Sequence, residues 1–353
     1  MTILDPRPNP LEAEHGTAPL PRVDPITRLP ILILFPHSRC NCRCLMCDIW
    51  RSTTRIELSS SDIARWVAEW RGLGIRRVVL SGGEALMHSN LWELCDILRA
   101  ADIGITILST GLMLRRHAPD LVLRCDDLVV SLDGPQTIHD QIRNVPRAFA
   151  RLADGVAAVK EADPTVLVTG RCTVQRANYH ALRATVAAAR SMGLDRISFL
   201  AADVSSDAFN RPDGWTEERA GQVALGADDV PLLAAEIDAL EHEWAGAFAS
   251  GYIAESPEKL RRRLSQYFAA LLGMDGFFPN DCNAPWVSSV VESDGTVRPC
   301  FFQPPLGNIH SDGLDAILNS PQAIAWRQRL DVRRDAICRR CVCTLALSST
   351  DDR

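Results

Sequence analysis

Lysine is almost missing from this sequence, with Lys160 and Lys259 the only two among 38 basic residues. Arginine in its place fits the codon usage of a GC-rich genome better than a demand for bidentate guanidinium chemistry. No basic stretch is interleaved with aromatics, and 44 acidic residues bring the formal net charge to −6. The electrostatic footprint of a nucleic-acid binder is therefore absent. Long apolar runs are missing too. Wholly aliphatic or aromatic runs such as Ile31–Phe35 reach no more than six residues, far short of the roughly 20 residues that span a bilayer, so no membrane partner is expected. The first thirty residues are rich in proline and hold no apolar core of a secretory signal. Residues 1–29 read as a flexible arm and the protein as cytoplasmic. What is present, 353 residues of which 46% are hydrophobic, suffices for one large domain or one large and one small.

In a reducing compartment, twelve cysteines call for metal ligands, reactive thiols or small buried hydrophobes rather than disulfides. Their distribution separates these uses. Cys40, Cys42, Cys44 and Cys47 crowd one loop, and Cys282, Cys300, Cys338, Cys341 and Cys343 lie in the last quarter. Cys95 shares a helical stripe with Leu91, Leu94 and Leu98, and Cys172 alternates with Val174 on an apolar strand face. Both read as core residues, as does Cys125 between a helix and a strand.

Apolar runs at 31–35, 76–80, 104–109, 127–132, 165–174 and 195–201 alternate with helical stretches near 60–72, 89–100, 112–124, 146–162, 179–192 and 228–248. Such alternation predicts right-handed βαβ units and a parallel sheet. Six units are too few for a closed eight-stranded barrel, so a partial barrel or an open wound sheet is expected. Ligands gather beyond the carboxyl ends of such strands, and the distinctive residues do the same. The crowded cysteines follow the first run, Gly82-Gly83-Glu84 the second, Ser109-Thr110-Gly111 the third, and Asp133-Gly134 ends the fourth. Period-two alternation also aims Arg171 at the barrel face with Thr169 and Thr173. An inward arginine needs an anionic partner, the carboxylate of a bound cofactor or substrate, or else a structural ion pair.

Cys40-x3-Cys44-x2-Cys47 offers three thiolates where a cubane iron–sulfur cluster takes four, which would leave one iron open. Any three of the four crowded cysteines can be written as a motif. A structural zinc site, which takes four thiolates, is the plain alternative. The loop resembles the signature of the radical S-adenosylmethionine (SAM) superfamily, and the resemblance favours Cys40, Cys44 and Cys47. Ser81-Gly82-Gly83-Glu84 is similar to that family's Gly-Gly-Glu motif, with Ala85 where proline usually follows. The resemblance implies that Gly82 and Gly83 let SAM's methionine moiety approach the backbone and that Glu84 faces its ammonium group. Ser131-Leu132-Asp133-Gly134 and His139–Arg143 resemble the fourth-strand segment. Ser131 is then a candidate contact to SAM's carboxylate, and Arg143 another, with a solvated or capping role as its alternative.

Cys282, Gly295 and Cys300 in the spacing C-x12-G-x4-C, followed by Cys338-x2-Cys341, provide four thiolates that can close a second cluster; Cys343 is spare. Ser288–Val291 and Thr296–Val297 alternate around a Gly turn and predict a β-hairpin. This region resembles the twitch or SPASM-type auxiliary-cluster domain; a zinc ribbon is the alternative.

The resemblance implies a partial (β/α)6 TIM-like barrel over 30–202, a helical connection and candidate substrate-covering segment over 203–279, a small hairpin/helix iron–sulfur domain over 280–345 and a tail over 346–353. It further implies two 4Fe-4S clusters, SAM cleaved to a 5′-deoxyadenosyl radical, and an external electron donor such as flavodoxin or ferredoxin. The reaction expected is oxidation or rearrangement of a small polar metabolite, with electron transfer to the auxiliary cluster. A peptide or protein maturase is the alternative. It is disfavoured because Phe301 stands where sulfatase maturases carry a basic Asp, and because the proline-rich arm is too short to fold as a leader-binding domain. A non-enzymatic zinc-binding or electron-carrier protein is a third reading.

Overall fold

The computed structural model describes residues 22–348. Six strands run parallel: β1 (Ile31–Leu34), β2 (Arg77–Leu80), β3 (Gly104–Ser109), β4 (Asp127–Ser131), β5 (Leu167–Val174) and β6 (Arg196–Ala201). Each matches an apolar run of the sequence. The crossovers carry α1 (Ser60–Gly72), α2 (Leu91–Ala100), α3 (Leu114–Arg124), α4 (Gln136–Arg143) with α5 (Ala148–Ala162), and α6 (Leu182–Ser191). Helix α4 was legible only as a motif, because its eight residues are too few to show a periodicity. Then follow α7 (Glu217–Val223) and α8 (Asp229–Glu243).

The hairpin strands β7 (Ser288–Val291) and β8 (Thr296–Arg298), with the short β9 (Gly307–Asn308), do not form a sheet of their own. β7 pairs in parallel with β1, Ile31 opposite Ser288 and Leu34 opposite Val291. One open sheet results, in the order β6-β5-β4-β3-β2-β1-β7-β8-β9. The small hairpin/helix region expected over 280–345 thus adds its strands to the barrel sheet. Its turn requires glycine: Gly295 has φ +84°, and a Cβ there would lie 2.3 Å from the His310 ring.

Alternation sorts the strand residues. Val78, Leu80, Ile105, Ile107, Leu128, Val130, Val168 and Cys172 join the core beneath the helices, where Trp66 and Trp70 of α1 are also buried. Leu108, Val129, Ser131, Arg171 and Thr173 line a cavity on the other face. Cys95, Cys125 and Cys172 are core residues, as their spacing predicts.

The flexible arm expected over 1–29 does not extend to 22–29. Ile26 and Leu29 are buried, Asp24 pairs with Arg327, and Ile26 exchanges two hydrogen bonds with the Asn319 side chain. Residues 1–21 lie outside the described residues, as do 349–353 of the expected tail. Of that tail, Leu347 is buried and its backbone bonds to Asn283. Among the described residues no helix is long and apolar enough to cross a membrane.

Candidate active site

The loop after β1 is held from three sides. Glu84 N donates to the Arg39 carbonyl at 2.9 Å, and the approach is so close that a Cβ on Gly83 would lie 2.1 Å from that oxygen. Leu45 N and Arg43 N donate to the Ile142 and Arg143 carbonyls of α4. From beyond β6, Arg211 donates to the Met46 carbonyl (2.5 Å), Arg219 to the Leu45 carbonyl (2.5 Å) and the Trp215 indole to Asp48 (2.5 Å). Arg211, Arg219 and Trp215 went unnoticed in the sequence because they lie in or just past its irregular stretch at 203–217.

So held, the loop turns Cys40, Cys44 and Cys47 into a cavity of about 390 Å³. Cys42 is not in its wall; it is buried in an apolar cluster with Leu112 and Ile142. Burial pushes the Cys47 thiol up to about 12 and raises that of Cys40 as well. Cys44 moves the other way, lowered by the Cys42 hydrogen bond and, against its own burial, by the Arg143 charge. Cys282, Cys300, Cys338 and Cys341 line the same cavity, with Cys343. Gln303 donates to the Cys338 sulfur at 3.3 Å, and the Cys341 thiol to the Cys343 carbonyl at 2.9 Å. Burial pushes both Cys300 and Cys338 up to about 12. Among the described residues no three His, Cys, Asp or Glu side chains converge on a point that suits a single ion. The thiols stand around a space instead, a fit for polynuclear groups that would deprotonate them on binding.

Ser81, Gly82, Gly83, Ser131, Arg143 and Arg171 share the cavity wall with the thiols. Arg143 is buried rather than solvated; its Nε lies 2.6 Å from Asp133 Oδ2, and its Nη1 donates to the Cys44 sulfur at 3.5 Å. Arg171 points inward as the alternation requires, and its Nε donates to Ser198 Oγ at 3.1 Å.

Glu84 lies deeper than the glycines beside it. It is fully buried and absent from the cavity wall. Its carboxylate accepts from Ser109 Oγ (3.0 Å), Thr110 N (2.7 Å), Thr110 Oγ1 (2.6 Å) and Leu86 N (3.1 Å). Burial raises its pKa, and these donors act against the rise. The side chain therefore staples the β2 end to the β3 end. Gly82 and Gly83 do line the cavity, but their first service is to the fold: Gly82 has φ +94° beneath the Phe35 ring, and Gly83 admits the cysteine loop.

A second, outer groove of about 800 Å³ adjoins the cavity. Asp203 and residues 205–212, from the beginning of the expected covering segment, line it together with hairpin residues Glu292, Asp294 and Arg298.

The family model described as Radical SAM superfamily matches residues 34–189, and that of an iron–sulfur cluster-binding domain, SPASM, matches residues 282–342. Residues 34–189 are thus a radical SAM domain and residues 282–342 a SPASM iron–sulfur cluster-binding domain. Among curated relatives, an AdoMet-dependent heme synthase from Methanosarcina barkeri is 28% identical over 48% of this chain and 49% of its own. The antilisterial bacteriocin subtilosin biosynthesis protein AlbA of Bacillus subtilis is 22% identical over 80% and 58%. The sporulation killing factor maturation protein SkfB of the same organism is 23% identical over 88% and 68%. The chain thus spans about half the length of the first two. Among solved structures, Streptococcus suis SuiB bound to S-adenosylmethionine superposes with TM-score 0.63 at 14% identity, covering 90% of this chain and 72% of SuiB. Native anSMEcpe with bound AdoMet and Cp18Cys peptide gives 0.62 at 18%, covering 90% and 92%. The open parallel sheet is therefore the partial (β/α)6 barrel of radical SAM enzymes.

As a radical SAM enzyme with a SPASM region, this chain takes SAM, a SAM-binding 4Fe-4S cluster and an auxiliary cluster. The zinc-protein reading of the cysteines is set aside by the same matches.

Proposed function

We propose that this chain is a radical SAM maturase that oxidatively modifies a peptide. Cys40, Cys44 and Cys47 hold the SAM-binding cluster and leave one iron open. Cys282, Cys300, Cys338 and Cys341 hold the auxiliary cluster, and residues 203–279 cover the substrate. When bound, the reduced open-iron cluster supplies the electron that splits SAM into methionine and a 5′-deoxyadenosyl radical, and the auxiliary cluster offers an electron acceptor. The protein's own part is position and dryness. Arg143, Arg171 and Ser131 offer two cations and a hydroxyl to carboxylates in the cavity, and apolar walls exclude water.

The observation that carries the peptide reading over the small polar metabolite is the reach of the likeness. AlbA and SkfB align with 80% and 88% of this chain, whereas the heme synthase aligns with 48%. Structures of SuiB with precursor peptide SuiA and of anSMEcpe with a peptide superpose over 90%. The outer groove gives an extended segment somewhere to lie. Phe301 in place of a base is compatible with a reaction whose electron leaves by the auxiliary site.

The test is anaerobic incubation of the reconstituted enzyme with dithionite, in place of its flavodoxin or ferredoxin donor, SAM and deuterated candidate substrates. Deuterium in 5′-deoxyadenosine from a peptide supports the proposal. Deuterium from a polyol or aminocyclitol, with none from any peptide, restores the metabolite reading.

A further inference from the structure

Two consecutive residues on the lip of the outer groove, Phe209 (φ +63°) and Asn210 (φ +62°), occupy the left-handed region. Asparagine tolerates that region, but a bulky aromatic residue holds it only where its surroundings over-determine it. Here they do. Arg211, fully buried, donates to the Asp203 carbonyl and carboxylate at 2.9 Å each and to the Met46 carbonyl. Asp48 N donates to the Phe209 carbonyl at 3.2 Å, and Asn210 Nδ2 to the Asp48 carbonyl at 3.1 Å. The strained residue is thus bolted to the cysteine loop from both sides.

The clamp delivers an aromatic ring. Phe209 packs on Phe301 with centroids 4.7 Å apart and on Phe302 at 6.1 Å, and Phe301 meets Phe35 at 5.7 Å. Phe35, Phe209, Phe301 and Phe302 border both the thiol-lined cavity and the outer groove. The rings therefore stand as a septum where one space meets the other. The groove beyond carries Ser205, Asp207, Asn210, Asp294 and Arg340, polar groups of the kind that satisfy an extended backbone. The septum itself offers only apolar surface.

We propose that Phe209 is a positioning residue that selects the substrate: its ring closes the passage against Phe301 and admits one apolar side chain from an extended peptide lying in the groove. This rests on the peptide reading above.

The test reads access to iron in the reconstituted holoenzyme as the rate at which a bulky, water-soluble chelator removes it, with no substrate turning over. Phe209→Ala should speed removal at least about fivefold, because the dry partition is gone. Phe209→Leu should stay near wild type, and Phe209→Gly, which also relieves the φ, should match Phe209→Ala. Equal rates in all four proteins, with unchanged circular dichroism, overturn the partition. The peptides Gly-Gly-Xaa-Gly-Gly, with Xaa Leu, Phe, Ala or Asp, are then added to wild type. Leu and Phe should slow iron removal more than Ala, and Asp least. Protection that ignores Xaa overturns the selection while leaving the peptide reading intact. No protection by any peptide overturns the peptide reading, whereas the partition is judged by the substrate-free rates alone.

Discussion

The Arg143 guanidinium joins Asp133, 2.6 Å from its Nε, to the Cys44 sulfur, 3.5 Å from Nη1. A single buried cation therefore faces both the end of β4 and the candidate cluster loop. Asp133 also accepts from Thr173 N at 3.0 Å, which ties β5 into the same network. Burial raises the Asp133 pKa, and the Arg143 charge opposes the rise.

Removing one partner of such a pair leaves the other charged and buried. Arg143→Ala should destabilise the fold by about 3–5 kcal/mol, read from urea unfolding followed by circular dichroism. The double variant Arg143→Ala/Asp133→Asn should recover part of that loss, because the stranded charge is gone. A single variant within experimental error of wild type would mean that water reaches Asp133.

Gly83 gives a sharper geometric test. A Cβ there would lie 2.1 Å from the Arg39 carbonyl oxygen and 3.2 Å from Cys40 N, and both atoms are backbone that cannot step aside. Gly83→Ala should therefore push the cysteine loop off the β2 end, and roughly half the iron should be lost, about four of eight per chain. Gly221→Ala, which has nothing within 4 Å of its added Cβ, is the control and should retain full iron. Full iron in Gly83→Ala would show that the loop has room the geometry denies it.

His139 carries a pH dependence. It is fully buried, its Nδ1 accepts from Asp133 N at 3.1 Å, and burial, with Arg143 adding to it, lowers its pKa to about 3. A base whose folded value lies below its unfolded value of about 6.5 stabilises the fold above that value and loses the contribution as pH falls toward 3. Between pH 7.5 and 5.5 the wild type should lose about 1 kcal/mol that His139→Gln does not. Parallel unfolding curves of the two proteins at both pH values would contradict the neutral buried ring.

Local pattern decided what could be read from the sequence. The cysteine spacing, the six apolar runs and the inward turn of Arg171 each lie within a few residues of chain, where period and spacing speak directly. The stapling role of Glu84 could not be read because its partners Ser109 and Thr110 come from the next strand end, and nothing near Glu84 announces them. The pairing of β7 with β1 joins opposite ends of the chain, a register no local pattern encodes. Arg211 and Phe209 were invisible for a related reason: an irregular stretch has no period, so a buried arginine there looks like a solvated one.

The sorting of crowded cysteines remains the most direct test of the proposed ligands. Cys40, Cys44 and Cys47 border the cavity, while Cys42 is buried with Leu112 and Ile142. Wild type reconstituted under anaerobic conditions should bind about eight irons per chain, as two cubanes require. Cys40→Ala, Cys44→Ala and Cys47→Ala should each fall to about four and form no 5′-deoxyadenosine. Cys42→Ala should keep nearly all its iron, since a small buried thiol is replaced there by a slightly smaller apolar group. Cys282→Ala or Cys341→Ala should also fall to about four, yet still cleave SAM, because the open iron belongs to the other set. Circular dichroism must accompany these counts, since a lost ligand can unfold the segment it anchors. Iron lost from Cys42→Ala but kept in Cys40→Ala, both folded, would move the open-iron site to a different trio of thiols.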